Sequence, residues 1–169
     1  MKKNTLIVLT MLSAMLLGSC DKVNNKEVPG LMVNIDLGSY AMWNVYGVTG
    51  VGDYRIFDRA KRIPANFPFT ANTYTGFGGV LLIMALDSRT GSYEPQAFDA
   101  ACPVENSPNV SITIDNDNFE AVCPQCHSRY NVLTGMGGPM SGMAYTSHYG
   151  LRTYKARSTG NGGYIITTR

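Results

Sequence analysis

Two Cys-Pro dipeptides constrain the fold of this chain more than any other feature. Cys102-Pro103 and Cys123-Pro124 each follow a short run of strand-forming residues, so each cysteine is expected at the tip of a loop. A third cysteine, Cys126, lies in the second of these loops. Two loop tips can converge on one site. We therefore expect the sulfur atoms of the three cysteines to meet in one pocket.

The rest of the chain reads as a series of short strands. Apolar residues alternate with polar ones from Leu31 to Leu37, which is the period of a half-buried strand. The run Gly79–Leu86 is apolar at every position and predicts a strand covered on both faces, with a short buried helix as the competing interpretation. Val110–Ile114 and Phe119–Val122 predict a hairpin around the polar turn Asp115–Asn118. Further short strands are predicted at Tyr130–Leu133, Leu151–Ala156 and Tyr164–Thr168.

Composition supports the same fold class and excludes others. The chain of 169 residues has room for one domain, its 18 glycines exceed the average, and a hydrophobic fraction of 44% suffices for a core. Charged residues are only 15%, which excludes a polybasic nucleic-acid binder and a disordered chain. We expect an all-β, antiparallel sandwich or barrel-like domain. The aromatic-rich segment from Met42 to Thr75 is expected to form ordered loops packed by their own rings.

The first 20 residues predict an export signal. Lys2 and Lys3 precede an apolar stretch of 12 residues, Leu6–Leu17, which is too short to span a bilayer. The following Gly18-Ser19-Cys20 is similar to the lipobox of bacterial lipoproteins, in which the cysteine is lipidated. The predicted organisation is therefore a signal peptide (1–19), a lipidated Cys20 with a polar tether (20–29) and one β domain (30–169). This predicts an extracytoplasmic protein of the cell envelope, anchored to a membrane by lipid.

With Cys20 assigned to lipid, an odd number of cysteines remains. One thiol must then lie outside any intrachain disulfide. The motif Cys123-Pro124-Gln125-Cys126-His127 has the C-x-x-C-H form of covalent haem attachment, with strands expected where such haem proteins have helices. It is also compatible with a thioredoxin-like pair that lacks the following helix, and, together with Cys102, with a Cys₃His zinc site.

A longer stretch, roughly Val80 to Ala156, resembles the Rieske 2Fe-2S domain. The resemblance rests on Cys102-Pro103, a 20-residue spacer, the run Cys123–Asn131, a Gly138-Pro139 loop and the closing Leu151–Lys155. It implies a Rieske-like β fold with a two-loop cluster-binding part at about 97–156. Cys102 and Cys123 would be the cysteine ligands of one iron. Ser128 and Tyr130 would donate hydrogen bonds to a bridging sulfide and a cysteine sulfur, and Pro139 would lie in the loop covering the cluster.

The chain departs from the family pattern at the second iron. Val104 stands at the first histidine position, Cys126 at the second, and His127 where the family has glycine. Valine cannot ligate iron. Three outcomes remain open: a cluster on the three cysteines with His127, Glu105 or an external group as fourth ligand; zinc or another single metal; or no metal, with two thiols in a disulfide.

The leading hypothesis is an electron carrier or redox protein with a redox partner protein, rather than an independent enzyme. The chain shows no triad motif, no paired-carboxylate motif and no phosphate-binding loop. The competing hypotheses are a cell-envelope binding or scaffold module that has the fold without the cluster, and a c-type haem protein.

Overall fold

The computed structural model describes residues 22–134 and 136–168. The predicted signal peptide and Cys20 lie outside the described residues. The strands are β1 (Val33–Ser39), β2 (Tyr54–Phe57), β3 (Tyr74–Thr75), β4 (Val80–Asp87), β5 (Ser92–Asp99), β6 (Thr113–Asp115), β7 (Glu120–Val122), β8 (Arg129–Asn131), β9 (Gly138–Ser141), β10 (Thr153–Ser158) and β11 (Gly162–Thr167); the helices are α1 (Tyr40–Tyr46) and α2 (Gly142–Thr146). Neither helix has the length and apolar character needed to cross a bilayer.

The strands form two antiparallel sheets. The larger has seven strands in the order β2-β4-β5-β10-β11-β1-β3, and the smaller has four in the order β6-β7-β8-β9. Strands make up 41% of the chain and helices 8%. The antiparallel strands form a nearly closed, barrel-like arrangement. The predicted all-β, antiparallel class is therefore confirmed.

Strand β4 separates two hydrophobic clusters. Its first four residues are fully buried and alternate in direction, as strand geometry requires. Leu81 and Ile83 face a cluster that contains Cys102, Cys123 and Tyr130. Val80 and Leu82 face a second cluster around Ile35, Leu37 and Phe57. The prediction that Gly79–Leu86 is a strand covered on both faces is confirmed, and the cysteines lie on one side of it.

The other predicted strands are found with shifted ends. Val33, Ile35 and Leu37 are buried in β1, but Leu31 is 50% exposed and precedes the strand. The hairpin of β6 and β7 is confirmed, and its turn is closed internally, because the Asp115 carboxylate accepts hydrogen bonds from the Asp117 N–H and the Asn118 amide.

Two regions differ from the sequence-based expectation. The segment from Met42 to Thr75 was expected to form loops, yet it contains most of α1 together with β2 and β3. Its rings do pack on each other, with Phe67 in edge contact with Tyr46, Phe57 and Phe69. The second region is the predicted tether, where Val28 is only 1% exposed and its carbonyl accepts a hydrogen bond from Arg152. The segment predicted as a polar tether therefore contributes one side chain, Val28, to the buried interior.

Candidate metal site

Two turns of the same form carry the three cysteines. In each turn the carbonyl of the leading cysteine accepts a hydrogen bond from the backbone N–H four residues later. The N···O distance is 2.9 Å from Asn106 to Cys102 and 3.0 Å from His127 to Cys123. Asn106 and His127 both have positive φ angles, 44° and 56°, which ends each turn. The first turn follows β5 and the second follows β7, so the two sheets bring them together.

The three sulfur atoms meet between these turns. All three Sγ atoms lie within 4.8 Å of one another, and those of Cys102 and Cys126 are 3.6 Å apart. Cys102 and Cys123 are fully buried, whereas Cys126 is half-buried. None of the three is in a disulfide. The predicted convergence of the two loop tips is therefore confirmed, and three thiols in this arrangement can bind a metal ion.

Polar groups from the second turn, from Ser128 and from β8 contact the sulfur atoms. The Tyr130 hydroxyl lies 3.3 Å from Cys102 Sγ, and Tyr130 is fully buried. Ser128 Oγ lies 3.3 Å from Cys126 Sγ and accepts a hydrogen bond from the Ala144 N–H at the start of α2. The Cys126 N–H points at Cys123 Sγ over 3.5 Å. Each sulfur atom thus has at least one polar neighbour within the protein.

The electrostatics of the thiols differ across the site. Burial raises the pKa of Cys102 to about 12, although Tyr130 and the backbone N–H groups of Glu105 and Val104 act in the opposite direction. Burial also acts to raise the pKa of Cys126, but hydrogen bonds with Ser128 and the neighbouring cysteines outweigh it, so the net direction is down. Burial, followed by the hydrogen bond with Cys102, raises the pKa of Tyr130. A cation that binds here displaces thiol protons and gains thiolate ligands.

Not every predicted site residue joins this group. The His127 side chain is exposed and is not part of the three-residue cluster. Pro139 was expected in a covering loop, but the Gly138-Pro139 segment belongs to strand β9, where Pro139 pairs with Tyr130. A strand forms there because β8 offers a free edge beside it. Val104 is half-buried and packs against the cluster that contains the cysteines.

Sequence reasoning missed Asp99, which positions the first turn. Its carboxylate is fully buried and accepts hydrogen bonds from the N–H groups of Phe77, Gly78 and Ala101 and from the Tyr154 hydroxyl. Burial raises the pKa of Asp99, against the effect of these four donors. An acidic residue inside the apolar run Ala97–Ala101 was the available signal.

A second concave region lies away from the cysteines. A groove of about 760 Å³ is formed between β1, α1 and the segment 67–73, and its lining contains no cysteine or histidine. This groove is therefore not part of the three-cysteine site.

Comparison with sequence models of known families, with curated proteins and with solved structures finds no match to this chain. The geometry of the three cysteines is therefore the main indication of function.

Proposed function

We propose that this protein binds one thiophilic metal ion through Cys102, Cys123 and Cys126. Three thiolates on a tetrahedral ion with metal–sulfur bonds of about 2.3 Å lie about 3.8 Å from one another. The Cys102–Cys126 separation of 3.6 Å is close to that value, and the third sulfur atom lies within 4.8 Å of both. This convergence on a common centre is the observation that carries the proposal.

The spacing favours one ion over a two-iron cluster. In a Rieske-like arrangement Cys102 and Cys123 would bind one iron and Cys126 the other. Ligands of different irons point away from each other, but Cys126 Sγ lies beside Cys102 Sγ. The same geometry argues against covalent haem, because Cys123 is fully buried within a hydrophobic cluster.

We further propose that the ion is redox-active and that the protein is an electron carrier of the cell envelope, anchored through a lipidated Cys20. The domain has two hydrophobic clusters built without a metal, so the ion is not required to make a core. The half-buried Cys126 places the ion near the surface, within reach of a partner protein. The contact between the Tyr130 hydroxyl and Cys102 Sγ is one that the Rieske resemblance implies, and it supports a tuned redox site.

Metal analysis of the protein purified without air tests this proposal. We expect about one metal ion per chain without acid-labile sulfide, and no thiols that react until the metal is removed. Iron with a visible thiolate charge-transfer band that bleaches on reduction supports the electron carrier. Two irons and two sulfides per chain would contradict the single-ion site. A colourless zinc protein would contradict the redox role.

The control variant is Cys126→Ser, which removes the most accessible of the three sulfur atoms. It should lose the metal while the buried Cys102 and Cys123 keep their places. If the wild-type chain holds no metal under any loading condition, the site is a set of structural thiols and the scaffold hypothesis replaces the proposal.

A further inference from the structure

The two cysteine turns are alike in more than their hydrogen bonds. Aligned on their leading cysteines, Cys102-Pro103-Val104-Glu105-Asn106 corresponds position by position to Cys123-Pro124-Gln125-Cys126-His127. Both have proline second, both close with an N–H to the cysteine carbonyl, and both end on a residue with positive φ. In this correspondence Glu105 occupies the position that Cys126 occupies in the other turn.

The backbone around the two leading sulfur atoms repeats as well. In the second turn the Cys126 N–H points at Cys123 Sγ. In the first turn the N–H at the corresponding position is that of Glu105, because both turns have the same closing hydrogen bond and a positive φ at the fifth residue. Residues 105 and 126 therefore stand in the same relation to a metal-ligating sulfur. In the second turn, that relation brings the side chain of the fourth position into the sulfur cluster.

Glu105 is also tied to the opposite turn. Its Oε2 accepts a hydrogen bond of 2.6 Å from the amide of Gln125, the residue directly before Cys126. This bond joins the two turns at the edge of the site, next to a half-buried Cys126. The Glu105 carboxylate lies outside the group of three sulfur atoms in this structure, so a change of side-chain rotamer brings one of its oxygens to the ion.

We propose that the Glu105 carboxylate is the fourth ligand of the metal ion, which makes the site Cys₃Glu. This inference rests on the proposed function and specifies its ligand set. A carboxylate oxygen binds zinc at a distance comparable to that of an imidazole nitrogen. The Gln125 amide holds Glu105 Oε2 by a hydrogen bond and so orients the carboxylate. Metal ligands are commonly oriented by such hydrogen bonds. His127, the other candidate, closes the turn with its side chain exposed.

Two cysteine substitutions at adjacent positions test the correspondence directly. In the full-length protein loaded with zinc, Glu105→Cys should change the first shell from three sulfur atoms to four, as counted by X-ray absorption spectroscopy. The matched control is Val104→Cys, which places a thiol at the position where the Rieske pattern has histidine, and it should leave the count at three. A count of three in Glu105→Cys, or of four in Val104→Cys, overturns the assignment.

Affinity measurements with Co²⁺ and Zn²⁺ are a second test of Glu105 as a ligand. Glu105→Ala and Glu105→Gln should weaken Zn²⁺ binding about tenfold or more, on the scale seen when groups around a metal are lost. His127→Ala should leave the affinity unchanged. Equal weakening by His127→Ala, with none by the Glu105 variants, would make His127 the ligand. Unchanged affinity in all of them would leave the fourth position to solvent.

The two proposals fail in different ways. A wild-type chain that binds neither Co²⁺ nor Zn²⁺ would remove the metal site and Glu105 with it. A wild-type chain that binds Co²⁺ with thiolate charge-transfer bands, and whose Glu105 variants bind it equally well, would keep the three-cysteine site and reject the carboxylate ligand alone. Near-UV circular dichroism of each variant shows that the fold is intact.

Discussion

A buried carboxylate is costly unless its oxygens are satisfied, and Asp99 meets that condition with four donors. Oδ1 accepts from Gly78 and Ala101, and Oδ2 accepts from Phe77 and the Tyr154 hydroxyl. Ala101 directly precedes Cys102, so the carboxylate holds the start of the first cysteine turn against the loop before β4.

Asp99→Asn should destabilise the domain. The amide replaces one acceptor oxygen by a donor that faces other donors, so at least one buried N–H loses its partner. We expect the free energy of unfolding to fall by about 2–3 kcal/mol. Tyr154→Phe removes a single donor and should cost about 1 kcal/mol. Urea denaturation at neutral pH measures both, and an Asp99→Asn variant no less stable than Tyr154→Phe would contradict this account.

Asp87 gives the stability a defined pH dependence. Its carboxylate, at the turn between β4 and β5, accepts hydrogen bonds from the Arg89 guanidinium and the Arg89 backbone N–H, which lower its pKa from 3.8 to about 2. The unfolded chain therefore binds a proton before the folded chain does. The stability that Asp87 contributes is complete above about pH 4 and is lost as the pH falls toward 2.

The measurement compares the wild type with Asp87→Asn. Between pH 5 and about pH 2 the difference in unfolding free energy between the two proteins should shrink steadily. A constant difference across this range would mean that Asp87 has its ordinary pKa in the folded protein.

At the scale of elements, α2 holds the second cysteine turn through one close contact. Gly142, the first residue of α2, has φ of +73°, and a Cβ there would lie 2.9 Å from Ser128 Oγ and 3.0 Å from Ser128 Cα. Ser128 Oγ in turn accepts from the Ala144 N–H and lies beside Cys126 Sγ. The absence of a side chain at Gly142 lets the helix approach the site.

Gly142→Ala should therefore affect both stability and metal binding. The positive φ alone costs about 1 kcal/mol, and the displacement of Ser128 adds about 1–3 kcal/mol of overpacking. Gly91→Ala is the matched control, since Gly91 has φ of +70° and nothing within 4 Å of the added Cβ. Thermal unfolding and Zn²⁺ titration should show a small stability loss and normal affinity for Gly91→Ala. Equal effects of the two substitutions would exclude the contact with Ser128.

Individual elements show why part of the fold could be predicted. β1 and β4 were identifiable because burial on one or both faces leaves a direct pattern of apolar residues. A short strand before Cys102 was predicted, but its extension back to Ser92 was not, because Pro95 has no N–H for a ladder. It is tolerated because β10 pairs with β5 only at Ala97 and Phe98, beyond Pro95. α1 was missed because its seven residues include none that is buried, so no helical period is visible.

At the scale of the whole molecule, the convergence of the cysteines could be predicted, but the composition of the site could not. The predicted strand ends and the two Cys-Pro dipeptides that follow them indicated two loop tips. The exposed position of His127 and the strand at Pro139 depend on backbone angles and on pairing with β8, which are tertiary properties. Asp99 accepts hydrogen bonds from residues 77, 78 and 154, each more than 20 positions away from it in sequence. No local sequence pattern encodes such contacts.

The domain should remain folded after its metal is removed. Its two hydrophobic clusters lie on either side of β4, and the one away from the cysteines is formed without any residue of the metal site. This distinguishes it from small metal domains that unfold without their ion. Free metal ion at 100 times the dissociation constant adds about 2.7 kcal/mol to the free energy of unfolding. That amount raises the melting temperature of a chain of this size by roughly 5–10 °C.

Circular dichroism before and after chelation measures this directly. The far-UV and near-UV spectra of the chelated protein should stay native, with a lower melting temperature that metal restores. Cys126→Ser should melt at the temperature of the chelated wild type and should not respond to added metal. An unfolded spectrum after chelation would show that the ion is part of the core, and its role would then be structural rather than electron transfer.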